Sequence, residues 1–359
     1  MQIGLVGLPL CGKTTFFNLL TGATCDTGFS GVEEVNTGSA LVPDERLQFL
    51  ANLYRPRKTS HARIQFKDIP GLGSAKCSPG QIAKLMDEVR SADALVQVVR
   101  AFSSPEIEAA TGPVSPFREL KDFASELMIT DMETVEKRIA RIKNLRKIPK
   151  ETAAQLEVLE KILEGMENEQ PLHKIELTAT EWNLMADHVF LSEKPLILVI
   201  NIDEEQLIDG DYPNREQIMA YAKSYQIPVV EVCALTEMEI SQLPAEDRPE
   251  FMADLGLNES GISRLARAAY ECLGLISFFT VGEDEVRAWP IHQRTKASRA
   301  AGKIHSDIER GFIRAEVFHY NDMKALGTTA QIKEKGLFRL EGKAYTVQDG
   351  DIISYRFNV

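Results

Sequence analysis

Eight residues near the N-terminus constrain this chain more than any other feature. Residues 7–14 read Gly-Leu-Pro-Leu-Cys-Gly-Lys-Thr and fit the phosphate-binding loop pattern G-x-x-x-x-G-K-[ST]. A short apolar segment, residues 3–6, precedes the loop, and a helix-like stretch, residues 15–20, follows it. In this order the loop N–H groups and the helix N-terminus can surround a phosphate. The segment therefore predicts a nucleotide-binding site.

Two side chains of this loop have specific expected roles. Lys13 should reach the β- and γ-phosphates, and the hydroxyl of Thr14 should bind Mg²⁺. Cys11 is interpreted as a small loop residue rather than a redox centre, because Lys13 is its only basic neighbour. The other residues predicted to bind the nucleotide in this segment are Gly7, Leu10, Gly12 and Thr15.

The bulk composition narrows the class of protein. A length of 359 residues predicts two or three domains. A net charge of −12 argues against a protein that binds nucleic acid over its whole surface, and no DNA partner is expected. No apolar run reaches the roughly 18 residues of a membrane span, so no membrane association is predicted. Five scattered cysteines and the lack of a signal-peptide pattern favour the cytoplasm.

Short apolar segments recur along the chain with helical stretches between them. Near-continuous Val, Ile and Leu are typical of strands buried on both faces, and hence of a parallel sheet. The predicted strands cover residues 3–6, 64–66, 94–99, 196–200 and 229–232. Together with the loop they predict an α/β P-loop nucleotide-binding domain, assigned to residues 1–114 and 181–276.

Residues 115–180 interrupt this pattern. Apolar residues recur there every three to five positions, with charged residues between them, on both sides of Pro149. The spacing predicts two antiparallel amphipathic helices, an inserted helical hairpin or short coiled coil. The charged outer faces are interpreted as solvated, and a partner-binding role for the hairpin is the alternative.

The last segment, residues 277–359, predicts a compact α+β domain. Its expected strands cover residues 278–281, 288–291, 311–317, 344–347 and 352–357. The segment holds 13 Lys/Arg against 11 Asp/Glu, which makes it about +2 in a chain of −12 and leaves about −14 for the rest. Seven of its cations are predicted to contact RNA or the ribosome: Arg287, Arg294, Lys296, Arg299, Lys303, Arg310 and Arg314.

A second nucleotide motif follows the first. Residues 68–71 have the form D-x-x-G and end the predicted strand 64–66. In P-loop switch proteins such an aspartate holds Mg²⁺ through water, and the glycine N–H senses the γ-phosphate. Asp68 and Gly71 are therefore predicted to bind metal and nucleotide. Leu72 stands where Ras-type enzymes carry the glutamine that orients water, so hydrolysis should be slow.

A third motif bears on the base. Guanine-specific switches end a strand with Asn-Lys-x-Asp, whereas here the strand 196–200 runs into Asn201, Ile202, Asp203 and Glu204. The lysine is absent and a longer carboxylate replaces the aspartate, which weakens the paired contact with guanine. Asn201, Ile202 and Glu204 are predicted to contact the nucleotide, with adenine favoured. The alternative is that Asp203 and Glu204 are ordinary loop acids.

In these motifs the chain resembles the YchF family, within the Obg-related branch of P-loop GTPases. The resemblance covers essentially the whole length and rests on residues 7–14, 43–46, 68–71, 201–204, 250–257, 285–289, 301–315 and 357–359. It implies a Ras-like G domain with an inserted helical hairpin and a C-terminal TGS-like domain. It also implies preference for ATP, slow hydrolysis and association with ribosomes.

Two positions depart from the family pattern. Leu10 replaces an asparagine that suits a monovalent cation, and Val32 aligns with a threonine that binds Mg²⁺. The leading hypothesis is thus a switch ATPase that binds Mg²⁺ and ATP, or also GTP, and docks on ribosomes or RNA. The alternatives are a nucleotide sensor without useful turnover, an orthodox GTPase and, less favoured, a P-loop kinase. No catalytic residue is assigned.

Overall fold

The computed structural model describes residues 1–27, 35–71, 79–244 and 246–358. The strands in these ranges are β1 Gln2–Val6, β2 Asn36–Leu41, β3 Lys58–Ser60, β4 Arg63–Asp68, β5 Ala94–Arg100, β6 Leu196–Asn201, β7 Val229–Val232, β8 Leu275–Thr280, β9 Glu285–His292, β10 Phe312–His319, β11 Arg339–Glu341 and β12 Asp351–Phe357.

The α-helices are α1 Lys13–Thr21, α2 Glu45–Tyr54, α3 Pro79–Ser91, α4 Pro105–Thr111, α5 Pro116–Lys143, α6 Lys150–Glu167, α7 Ala179–Leu184, α8 Glu204–Asp209, α9 Arg215–Tyr225, α10 Ala234–Gln242, α11 Arg248–Asp254, α12 Gly261–Cys272, α13 Ala297–Ile304, α14 Ser306–Arg310, α15 Tyr320–Leu326 and α16 Thr329–Glu334. Among the described residues, no helix combines the length and the apolar character needed to cross a membrane.

Contacts divide the chain into two units. The first holds Met1–Phe17, Thr24–Asn36 and Lys67–Phe251, and the second holds Asn18–Ala23, Thr37–Phe66 and Met252–Val359. These units group residues by spatial contact, and each combines separate stretches of the chain. The division predicted from the sequence instead cuts the chain into consecutive ranges. The boundaries 1–114 with 181–276, 115–180 and 277–359 therefore stay a prediction.

Parallel strands form the central layer of the first unit, in the order β1, β5, β6 and β7. All seven residues of β5 are buried, as its run of apolar residues predicts. The strands predicted at residues 3–6, 94–99, 196–200 and 229–232 and their parallel arrangement are confirmed here. The strand predicted at residues 64–66 is present as β4. Because the strands run in one direction, their carboxyl ends meet at one edge, where ligands of such sheets bind.

The predicted helical hairpin is confirmed as α5 and α6 of the first unit. The first half of α5 packs beside the sheet through Leu120, Phe123 and Leu127. Its second half packs on α6, and their shared core includes Val135 and Leu159, both inaccessible to solvent. The regularly spaced apolar residues of the sequence form the contact surface between the two helices.

The second unit contains a mixed sheet with strand order β11, β10, β12, β8, β9 and β3. The expected strands near 278, 288, 311 and 352 are present as β8, β9, β10 and β12. The strand expected at 344–347 is wrong, since only Thr346 makes a β-bridge there, with Lys296. Val347 is instead buried beneath α13, so its apolar character serves the core rather than a strand.

The second unit also takes in an early part of the chain, residues 37–66. Strand β3 pairs in parallel with β9, and β2 and β4 are neighbours. On α2, Arg46 forms ion pairs with Asp44 at 2.8 Å and with Asp349 at 2.7 Å. Of this segment, β3 alone joins the C-terminal sheet, as its edge strand beside β9, and no pattern in the sequence predicts that pairing.

Candidate nucleotide-binding site

The phosphate loop connects β1 to α1 at the carboxyl edge of the parallel sheet. Two of its glycines have backbone conformations that disfavour other residues, with φ of +145° at Gly7 and +102° at Gly12. A Cβ atom at Gly7 would lie 2.4 Å from the carbonyl oxygen of Val98, and one at Gly12 would lie 2.4 Å from Nδ2 of Asn201. Both positions therefore require glycine, as the motif predicts.

Lys13, the first residue of α1, turns its ammonium group back over the loop. Its side chain is only 7% exposed. Nζ donates hydrogen bonds to the carbonyl oxygens of Leu8 at 2.7 Å and Gly7 at 3.2 Å. The buried ammonium group is thus held in the loop by two neutral carbonyl oxygens. A phosphate oxygen, which is charged, would be a stronger hydrogen-bond acceptor for it.

Thr14 and Asp68 meet beside the loop. The Thr14 hydroxyl donates a hydrogen bond of 2.8 Å to Oδ2 of Asp68. Asp68 is 3% exposed, and its other oxygen, Oδ1, has no hydrogen-bond partner among the described residues. A buried carboxylate oxygen left in this state costs free energy unless a ligand satisfies it.

This pair fits the donor set of a magnesium site. Mg²⁺ prefers oxygen ligands and is commonly held by one or two protein groups together with phosphates and water. Thr14 would hold the ion directly and Asp68 would hold it through a water molecule, and the ion would supply charge neutralisation for the phosphates. No group of three or more His, Cys, Asp or Glu residues suited to a metal occurs in the described ranges.

The second motif also lies directly against the loop. A Cβ atom at Gly71 would be 2.8 Å from the backbone nitrogen of Pro9. Only glycine permits this approach, so the D-x-x-G turn and the phosphate loop touch through their backbones. Leu72 and residues 73–78 lie outside the described residues, as does Val32.

Asn201, at the end of β6, has a structural role that its sequence motif does not predict. Its side chain is 4% exposed. Nδ2 donates to the carbonyl oxygen of Cys11 at 3.0 Å, and Oδ1 accepts from the backbone N–H of Ala234 at 3.2 Å. The amide thus joins the phosphate loop to the β7–α10 connection, the third element at this edge.

The residues after Asn201 are placed differently from one another. Ile202 is buried in the core beside β6, so only its backbone faces the site edge. Asp203 is the N-cap of α8 and accepts a hydrogen bond of 2.9 Å from the N–H of Gln206. Glu204 is exposed in the first turn of α8. The Asp203 carboxylate therefore stabilises its own helix, as capping aspartates do.

Two further loop residues are Leu10, which has a left-handed backbone conformation, and Cys11, whose thiol is buried. Leu10 has φ of +63°, in the left-handed region that favours glycine and asparagine. Burial raises the pKa of the Cys11 thiol, although the charge of Lys13 opposes that rise. A raised pKa agrees with the interpretation of Cys11 as a small packing residue. Thr15 is half-buried in the first turn of α1.

The seven cations predicted to contact RNA all lie in the second unit. Three are paired with acids: Arg287 with Glu285, Arg299 with Glu309 and Arg310 with Asp307. Nζ of Lys296 donates to the Thr346 hydroxyl at 2.6 Å. Arg294, Lys303 and Arg314 are exposed and have no carboxylate within 4.0 Å among the described residues. Three of the seven predicted contact residues are therefore locally neutralised.

Two protein-family models match the chain. A model described as 50S ribosome-binding GTPase matches residues 2–161, and the model YchF-GTPase_C, described as a protein of unknown function, matches residues 275–358. The first spans the phosphate loop, the D-x-x-G motif and most of the hairpin. The second spans the sheet strands β8 to β12.

Curated relatives match from end to end. A protein of Bacillus subtilis named ribosome-binding ATPase YchF is 42% identical over 366 aligned residues, covering 100% of both chains. Its namesake from Escherichia coli O157:H7 is 38% identical, covering 100% of this chain and 99% of the relative.

Solved structures show the same fold. The YchF GTPase of Schizosaccharomyces pombe matches with a TM-score of 0.86 at 28% identity, covering 99% of this chain and 97% of that one. A GTP-binding protein of Pyrococcus horikoshii matches with a TM-score of 0.57 at 19% identity, which supports the fold alone. The predicted fold class, a P-loop α/β domain with a helical insertion and a C-terminal domain, is confirmed.

Proposed function

The chain belongs to the YchF family, and from that premise we propose that it is a nucleotide-dependent switch protein that binds ATP with Mg²⁺ and associates with the ribosome. The observation that carries the nucleotide part is the contact between Thr14 and Asp68 beside the phosphate loop, with one buried carboxylate oxygen unsatisfied. That oxygen and the Thr14 hydroxyl are the protein groups that a phosphate-bound Mg²⁺ needs.

The proposed preference for ATP rests on the segment after β6. A guanine-reading aspartate must present both oxygens to the base, whereas Asp203 is engaged as a helix cap and Glu204 is exposed in the first turn of α8. Adenine lacks the paired N–H groups that such a carboxylate would bind. The absence of that carboxylate therefore weakens the binding of guanine and not the binding of adenine. The alternative, an orthodox GTPase, is tested directly by titration calorimetry with ATP and GTP in the presence of Mg²⁺. A lower Kd for GTP would contradict the proposal.

Hydrolysis is proposed to be slow. No glutamine follows Gly71 in the sequence, so no group at that position orients the attacking water. We expect unassisted turnover no faster than the ~10⁻² s⁻¹ of switch proteins that lack a helper. A single-turnover assay decides between slow hydrolysis and a sensor that does not hydrolyse. Turnover near ~1 s⁻¹ would reveal a catalytic group that has not been assigned.

Ribosome association is the second part of the proposal. Relatives that share the full length of the chain are named ribosome-binding ATPases, and a cytoplasmic location would follow. In the C-terminal unit the exposed, unpaired cations Arg294, Lys303 and Arg314 would contact phosphates, and such contacts weaken steeply with salt.

Substitution tests this better than truncation, because removing the C-terminal segment would strip β3 and α2 of their partners. The variant R294Q/K303Q/R314Q should pellet less with purified ribosomes than the wild type does, most clearly at moderate salt. Equal pelleting would move the contact to another surface. No pelleting of the wild type would refute ribosome association itself.

A further inference from the structure

The tip of the helical hairpin concentrates positive charge in an acidic protein. Between Lys137 and Lys150 the sequence holds seven Lys or Arg residues and no Asp or Glu. The whole chain has 41 basic and 53 acidic residues, so the rest of it carries 34 against 53, or −19. A local +7 against that background is a strong asymmetry.

The structure leaves most of this charge available. We define the basic tip as residues 141–150, from the last turn of α5 to the first residue of α6. Lys143 is paired with Glu160 at 2.7 Å. The other four cations are exposed, and none has a carboxylate within 4.0 Å in the part of the chain that the structure describes: Arg141, Arg146, Lys147 and Lys150.

Helix stability explains only part of the cluster. Cations in the last turn of a helix are favoured by its dipole, which accounts for Arg141 and Lys143. Arg146 and Lys147 lie beyond that helix, in the connection. Lys150 begins α6, at the helix end where the dipole disfavours a cation. At least one cation of the cluster, Lys150, therefore lies where the helix dipole destabilises it.

The hairpin holds the tip away from the sheet. Contact between α5 and the sheet side ends near Leu127, and α5 continues to Lys143, roughly 24 Å further along its axis. Ile142, in the last turn, is buried in the hairpin core. The cations therefore lie at the end of a packed helical hairpin, where their side chains are exposed to solvent.

The side chains at the tip also indicate which ligand they suit. Single-stranded nucleic acid is usually bound on aromatic side chains that stack with bases. Residues 137–150 contain no aromatic residue, and the exposed large apolar side chains are Leu145 at 46% and Ile148 at 37%. Cations without stacking groups are suited to the phosphate backbone of helical RNA, which proteins read by shape and charge.

From these observations we propose that the basic tip is an RNA-binding surface, which contacts the phosphate backbone of helical ribosomal RNA. The proposal rests on the proposed ribosome association and adds a contact separate from the C-terminal cations. In that C-terminal set three of seven cations are neutralised by paired acids, whereas at the tip one of five is.

The test compares two variants with the same change in charge. R146Q/K147Q/K150Q removes three tip cations, and K121Q/K174Q/K223Q removes three exposed lysines elsewhere in the first unit. All six substituted side chains are exposed. Circular dichroism and ATP binding verify that each variant is folded. Binding is measured to purified bacterial ribosomes by co-sedimentation and to a fluorescein-labelled 20-base-pair RNA duplex by anisotropy, each over a range of salt concentrations.

We expect the tip variant to bind both probes at least tenfold more weakly near 0.1 M salt, with the log–log salt slope reduced by about 2 to 3. The control variant should stay within about twofold of the wild type. Equal binding of tip variant and wild type to the duplex would overturn the proposal.

Two other outcomes separate the hypotheses. If the tip variant loses ribosome binding but keeps its duplex affinity, the tip binds a protein, and the RNA assignment is wrong. If the wild type does not pellet with ribosomes, the proposed ribosome association fails, and the duplex measurement still decides whether the tip binds RNA.

Discussion

Asn201 donates a hydrogen bond from its side-chain amide to the carbonyl oxygen of Cys11, 3.0 Å away in the phosphate loop. The same amide accepts from Ala234 through its oxygen. One buried side chain therefore holds three loops of the carboxyl edge in register. A residue that the sequence suggests as a base contact is also a structural link between the phosphate and base sides of the site.

Replacing this link should cost stability as well as affinity. Asn201→Ala leaves the Cys11 carbonyl and the Ala234 N–H buried without their partner, which costs about 1–3 kcal/mol for each such group. We expect a lower urea midpoint of unfolding and weaker ATP binding. Asn52→Ala, at an exposed position of α2, is the control and should change the unfolding free energy by less than about 0.5 kcal/mol. Matching midpoints for Asn201→Ala and the wild type would contradict the structural link.

Lys13→Ala should act mainly on nucleotide binding. The ammonium group that now contacts the Leu8 and Gly7 carbonyls would pair with phosphate oxygens when nucleotide is bound. Titration calorimetry with Mg-ATP should show a Kd at least tenfold higher, which is about 1.4 kcal/mol. Lys121→Ala removes an exposed lysine on α5 and should leave the Kd unchanged. If Lys13→Ala binds as tightly as the wild type, the phosphate-loop assignment is wrong.

Leu10→Asn should relieve strain in the loop. At φ of +63° a leucine is disfavoured, whereas asparagine adopts this region more readily. We expect the unfolding free energy, measured by chemical denaturation, to rise by no more than the roughly 1–2 kcal/mol that the left-handed conformation costs an ordinary residue. Leu10→Ala keeps a Cβ without the local hydrogen bonding of asparagine and should show no such gain.

The same substitution tests the monovalent cation hypothesis. Asparagine would restore a side-chain oxygen at position 10, so potassium should accelerate hydrolysis in Leu10→Asn more than in the wild type. Strong potassium stimulation of the wild type would show that leucine at this position does not prevent cation binding.

His188 predicts a pH dependence of stability. Burial lowers the pKa of His188, and the charge of Arg138 lowers it further. Both ring nitrogens are buried without hydrogen-bond partners among the described residues, and the ring stacks on Phe190 at 5.6 Å. The folded state thus holds fewer protons at this site than the unfolded state, whose histidine keeps its ordinary pKa of 6.5.

Above about pH 6.5 the imidazole is neutral in both states, and the free energy of unfolding does not depend on its titration. As the pH falls below 6.5 toward the lower pKa of the folded state, the unfolded state takes up the proton first, and the free energy of unfolding decreases. His188→Phe keeps the stacking and removes the titration. Denaturant midpoints measured at pH 7.5 and 5.5 should fall less in the variant than in the wild type. The other five histidines are common to both proteins and cancel in this comparison. An equal fall in both would exclude His188 as the source.

Local patterns in the sequence were enough to predict the parallel sheet, the hairpin and the phosphate loop. Each has a strong periodic or spacing signal, such as the wholly buried run of β5. Strand β3 has no such signal, because Lys58, Thr59 and Ser60 are polar and become a strand only by pairing with β9. β11 is a polar edge strand and was missed for the same reason.

The motifs predict which residues line the site, but they do not predict all the contacts that those residues make. The positions of Lys13, Thr14 and Asp68 follow from the order of loop and strand. The bridge made by Asn201 depends on Ala234, which no motif marks, and the cap made by Asp203 depends on where α8 begins. Such contacts are set by tertiary structure, and a single sequence does not encode them in a local pattern.

The pairing of β3 with β9 has a consequence for synthesis of the chain on the ribosome. Ser60 and its hydrogen-bond partner Glu285 are 225 residues apart. At the ~5–20 residues per second of translation, β3 and α2 would wait roughly 10 to 45 s for the strands they pack against. During that interval α2, whose Leu47 and Leu50 are fully buried in the finished protein, lacks the strand β9 on which it packs. The nascent chain is therefore most exposed to misfolding and chaperone capture in this early segment, well before its last residues are made.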